Sequence, residues 1–151
     1  MHPVIGKDQT GQHVFFWNVD SPVGLNAVNM MEDVLFVQWC FYKMSKWIHL
    51  SVDSRSHYSK TGVNGVCTGR EGDPLINSIK VLQQERDLMV DGRVSLPPSS
   101  ALYTYHGEKH RFLIFYLNTV LRVLHPQQYP RIDLMPEFIW RIKDKATSPF
   151  I

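Results

Sequence analysis

Apolar residues recur at intervals of three and four in separate stretches of the chain, and most of these stretches are bracketed by residues that start or stop a helix. Val34, Val37, Phe41, Met44 and Ile48 follow this spacing, which places them on one helical face. Leu35, Trp39 and Tyr42 widen the stripe, so the element is covered on more than one side. Asn29 stands where an N-cap belongs and Glu32 lies three residues on, in capping-box position. These features predict a helix over 30–48. Leu75, Ile79 and Leu82, flanked by Ile76 and Val81, predict a second over 74–86. Asp73 serves as its N-cap, and Pro74 takes the first helical position, where a missing N–H costs nothing. Leu113, Leu117, Val120 and Leu124, with Phe112, Phe115 and Tyr116 beside them, predict a third over 108–124, stopped ahead of Pro126. Phe138, Ile139 and Ile142 predict a short terminal helix over 136–143.

Between these segments the pattern fades. His13 to Val19 reads as a short strand or an apolar arm across the core. Asp20 to Gly24 reads as a turn. From Ser51 to Gly72 there is no apolar period, which predicts a long loop. The expected fold is therefore all-α, a three-helix core with long loops and a short C-terminal helix. Its parts are an N-terminal arm or short strand over 1–21, a helical core over 22–124 and an extension over 125–151.

Composition refines this picture. A chain of 151 residues, 17.6 kDa, with 44% hydrophobic and 12% aromatic residues, has ample material for a core. Formal charge is +2 with both signs interspersed, so no basic stripe points to nucleic acid. Two cysteines, Cys40 and Cys67, are too few for a disulfide framework and read as free thiols. No basic n-region and apolar h-region open the chain, and no apolar run approaches the roughly 18 residues that span a bilayer. The sequence thus reads as a soluble protein made in the cytoplasm without a visible signal peptide and not inserted in a membrane. It would meet the cell envelope only through phage lysis or a secretion machine.

Two segments echo each other. Val34-Leu35-Phe36-Val37-Gln38 and Ile79-Lys80-Val81-Leu82-Gln83 each carry an apolar residue before glutamine on a helix. Each is followed by a similar turn, Val63-Asn64-Gly65-Val66 and Val90-Asp91-Gly92-Arg93-Val94. In such a turn glycine takes positive φ, the Asn or Asp side chain bonds the local backbone, and the valines anchor both ends. This arrangement resembles the bacterial peptidoglycan-binding domain family over residues 22–120. The run Ile79 to Val94 is the best match, and the approach from Pro22-Val23-Gly24 to Asn29 is similar to that of phage-associated members. Departures fall in the loops: about fourteen residues separate the first helix from its turn, and Ser95-Leu96-Pro97-Pro98 replaces the usual Gly and Thr after the second.

The resemblance implies a non-enzymatic module that recognises peptidoglycan, glycan or stem peptide, with no cofactor. The alternative is an adaptor, immunity or structural component of a phage or contractile secretion system that binds a protein partner. Asp91, Arg93, Tyr103 and Tyr105 are the candidate ligand-binding residues, because sugars stack on aromatic faces and bond to neighbouring polar groups. The competing reading is that Leu102 to Tyr105 merely cover the helices. His106 and His110 are four apart, yet no third ligand is indicated by spacing and Glu108 does not follow the first histidine as in zinc proteases, so no metal site is assigned. Cys40 on the apolar stripe is expected to be protonated and inert. No nucleophile elbow, phosphate loop or dinucleotide fingerprint occurs, so no catalytic residue is assigned.

Overall fold

The computed structural model describes residues 1–7, 10–97 and 112–147. Helix α1 spans Met31–Ser45, and every residue from Asp33 to Phe41 is buried. Such continuous burial means that α1 is enclosed rather than laid on a surface. Helix α2 (Val52–Ser59) and helix α4 (Leu113–Leu124) pack on it. The C-terminal segment also closes over α1: the Trp39 indole N–H donates to the Glu137 carbonyl (3.1 Å) and Lys43 Nζ to the Pro136 carbonyl (3.2 Å). Helix α3 (Pro74–Glu85) lies against α2 and buries Leu75, Ile76, Ile79 and Leu82. As its sequence dictates, Asp73 caps it, Oδ1 accepting from the Leu75 N–H at 2.9 Å. Val37, Phe41, Ile79, Leu82, Leu117 and Val120 are all buried in one apolar cluster.

The fold is mixed α/β, which corrects the all-α expectation. Strands β1 (His2–Lys7) and β2 (His13–Asn18) form an antiparallel hairpin, with His2 opposite Asn18 and Lys7 opposite His13. Strands β3 (Val23–Gly24) and β4 (Arg93–Val94) form a second antiparallel pair. Two-residue strands are too short to show any period, and β1 is half exposed and interrupted by Pro3 and Gly6, so only β2, inside the stretch read as a short strand or an arm, shows in the pattern. Asn118 of α4 holds β2 in place. Its Oδ1 accepts from the Trp17 N–H (2.7 Å) and its Nδ2 donates to the Trp17 carbonyl (2.8 Å), so one side chain substitutes for a neighbouring strand.

Several boundaries also shift. Helix α1 stops at Ser45, which leaves Ile48 75% exposed instead of on the buried stripe. Asn29 is not its N-cap: that position is Met30, without a side-chain cap, and Asn29 itself has φ +57°. The segment expected to be loop contains α2, opened by Ser51, whose hydroxyl accepts from the Ser54 N–H at 3.1 Å. Only Ser54 and Tyr58 of that helix are buried, so it carries no apolar stripe. The terminal helix is displaced, because Glu137 has φ +61° and blocks a helix there. A 3-10 turn at Trp140–Ile142 leads instead into α5 (Lys143–Thr147), which buries Ala146. Of the third helix as expected, residues 108–111 lie outside the described residues.

Candidate functional site

The two echoing segments perform the same structural act. Gln38 is buried on α1, and its Oε1 accepts from the N–H groups of Asn64 (3.0 Å) and Gly65 (2.8 Å). Its Nε2 donates to Asn64 Oδ1 (3.0 Å) and the Val66 carbonyl (3.1 Å). Asn64 Oδ1 also accepts from the Val66 N–H at 3.0 Å. On α3, Gln83 repeats this: Oε1 accepts from the Gly92 N–H (2.9 Å), while Nε2 donates to Asp91 Oδ1 (2.7 Å) and the Arg93 carbonyl (3.0 Å). Asp91 Oδ1 accepts from the Arg93 N–H at 2.9 Å. In both turns a buried primary amide thus satisfies several backbone groups at once.

The glycines are equivalent as well. Gly65 has φ +78° and Gly92 φ +70°. A Cβ on Gly65 would meet Met31 and Leu35, seven and three residues before Gln38; one on Gly92 would meet Ile76 and Lys80, seven and three before Gln83. The approach loop joins the second turn to the segment that follows the first. The Leu25 N–H donates to the Gly92 carbonyl and the Asn26 N–H to the Gly69 carbonyl, each at 2.9 Å. Asn29 shapes that loop: its Oδ1 accepts from the Gly24 N–H (2.7 Å) and its Nδ2 donates to the Gly24 carbonyl (2.9 Å).

Beside the second turn lies a concavity of about 390 Å³. Leu88, Met89, Phe112 and Leu113 supply apolar wall, while Asp87, Asp91, Arg93 and Ser95 supply polar groups. Asp91 and Arg93 both line this concavity. Tyr103 and Tyr105 lie outside the described residues, as do His106 and His110. The apolar lining was not assigned from sequence, although Phe112 follows directly on the polar stretch and Met89 precedes the turn by a single residue. Met89 is 80% exposed.

A second hollow, about 290 Å³, lies where α1 and α4 end and is lined by Lys43, Lys46, Trp47, His49, Leu124 and His125. Burial, reinforced by the Lys43 charge, lowers the His125 pKa, and burial lowers that of Lys43. Cations at helix C-termini complement the macrodipole, so this basic cluster has a structural reason.

Neither cysteine is set up as a nucleophile. Cys40 is fully buried and burial raises its pKa strongly; burial also raises that of Cys67. Among the described residues no three His, Cys, Asp or Glu side chains gather as a metal site. No helix among the described residues is long and apolar enough to cross a membrane. No family model matches the chain, and neither a curated protein nor a solved structure matches it.

Proposed function

We propose that this protein is a non-enzymatic binding domain for bacterial peptidoglycan, with its ligand held beside the second turn. One observation carries the reading. Two helices present a buried glutamine at equivalent positions, and each clamps a Val-Asx-Gly turn, which is the arrangement on which the family resemblance rests. The second turn borders a hollow with an apolar wall and a few placed polar groups, the composition of a small-ligand site. Asp91 and Arg93 are the contacts from the described residues, and Tyr103 and Tyr105 are proposed to add aromatic faces.

Sedimentation with purified insoluble peptidoglycan tests this. Wild-type protein should partition into the pellet, and the Tyr103→Ala/Tyr105→Ala variant should partition less while melting at nearly the same temperature. Wild-type protein left wholly in the supernatant rejects wall binding, and the adaptor reading, with a protein partner in a phage or secretion assembly, then takes its place.

A further inference from the structure

The molecule contains its own control for the second turn. At the first turn the same clamp is built from Asn64, Gly65 and Val66, with no charge. Asp91 and Arg93 occupy the corresponding positions of the second turn. Only Asp91 Oδ1 works in the clamp, and an asparagine oxygen does that job at Asn64. Arg93 contributes only its backbone N–H and carbonyl, as Val66 does. The fold therefore requires neither the carboxylate at 91 nor the guanidinium at 93.

Both side chains line the same concavity, and the clamp uses neither the Arg93 guanidinium nor Asp91 Oδ2. No ion pair joins Asp91 to Arg93, and Asp91 Oδ2 accepts no hydrogen bond among the described residues. The Arg93 side chain is half-buried, and its Nε is buried without a hydrogen-bond partner. Opposite charges two residues apart that avoid each other, on a shared apolar floor, fit a ligand that itself carries both signs.

We propose that this concavity binds an amino-acid-like zwitterion, taking its carboxylate on the Arg93 guanidinium and its ammonium on the Asp91 carboxylate. Guanidinium and carboxylate match as planar forks, and a half-buried position strengthens the charge-assisted bonds. Phe112, Met89 and Leu88 cover the aliphatic stem between the two charges. The inference rests on the wall-binding reading to name its source: the uncross-linked diamino acid of a stem peptide carries this pair of groups, whereas the stripped sugar chain offers hydroxyls, acetamides and lactyl carboxylates but no ammonium.

The test uses full-length protein and the variants Asp91→Asn and Arg93→Val, whose new side chains the first turn already accommodates. Three probes are titrated: a soluble muropeptide with an uncross-linked diamino acid, free diaminopimelate, and glycan stripped of peptide. The muropeptide should perturb the backbone resonances of residues 88–95, and each variant should weaken its Kd roughly tenfold or more with thermal stability held. Stripped glycan should not compete. Equal binding of stripped glycan, or full affinity in both variants, overturns the zwitterion site while wall binding stands. Saturable diaminopimelate binding lost in Arg93→Val, with no affinity for intact peptidoglycan, keeps the zwitterion site and rejects the wall as its source. No response to any probe overturns both.

Discussion

Gln38 and Gln83 set the local energetics, because each bonds several backbone groups of its turn at once. Replacing Gln83 by leucine keeps the volume but strands the Gly92 N–H and the Arg93 carbonyl, bonded to it at 2.9 and 3.0 Å. Each stranded buried group costs about 1–3 kcal/mol, so Gln83→Leu should lower the urea midpoint sharply, and Gln38→Leu should do the same at the first turn. Midpoints within error of wild type would show that the clamps are incidental. Gly92→Val should add strain on top of this, since φ is +70° and its Cβ would stand 3.0 Å from Lys80 Cε. At this scale the sequence displayed the parts without the bonds. An apolar residue before glutamine and an Asx-Gly pair are readable, but the distance between Gln38 and Asn64 along the chain hides that one clamps the other. Asn29 was misleading for a related reason. Its type and place suit an N-cap, and only its left-handed backbone shows that it is used to bind Gly24 instead.

Among the elements, those with a full apolar stripe were legible and those without were not. Helix α3 buries Leu75, Ile76, Ile79 and Leu82 and starts on Asp73, so its position could be read closely. Truncating Leu82 to alanine should cost about 2–5 kcal/mol, as large-to-small changes do in close-packed cores. Helix α2 is held by polar contacts, with Ser54 and the Tyr58 hydroxyl both bonded to Glu85, the latter at 2.9 Å. Its stability comes from tertiary hydrogen bonds rather than from a periodic face, and no pattern of hydrophobicity records those. The hairpin is attached in a comparable way. Asn118 binds both backbone groups of Trp17 and also accepts from the Tyr129 hydroxyl at 2.9 Å, so a single amide links β2, α4 and the C-terminal segment. Asn118→Leu should destabilise the protein by at least as much as Leu82→Ala, since it leaves two buried strand groups unmatched. Amide exchange in β2 should speed up in that variant; unchanged protection would mean the strand is held by other means.

Across the whole molecule, the C-terminal segment is the piece that closes the core, and charge governs how firmly it holds. Arg131 Nε and Nη2 bond both oxygens of the buried Asp133, at 2.9 and 2.7 Å, and Thr147 of α5 adds a bond at 3.3 Å. The Arg131 guanidinium lowers the Asp133 pKa below its ordinary 3.8. A carboxylate depressed on folding stabilises the native state at neutral pH, and that contribution is lost as the pH falls from 3.8 through the folded value. At the other side of the segment His125 is held below its ordinary 6.5 by burial, with the charge of Lys43 adding to it. Its neutral form is the one the fold accepts, so protonation also works against folding, beginning as the pH drops under 6.5. Lys46, Glu137, His49 and Tyr42 are further ionisable groups near this junction. Denaturation midpoints should therefore decline in two steps, one below pH 6.5 and one below pH 3.8. His125→Gln should flatten the first step and leave the second. Asp133→Asn should start lower at pH 7, having lost the pairing, and then fall less on acidification. A curve that stays level between pH 7 and pH 5 in the wild type, or an Asp133→Asn curve parallel to it below pH 4, would contradict this assignment of the acid sensitivity to the two ends of the closing segment.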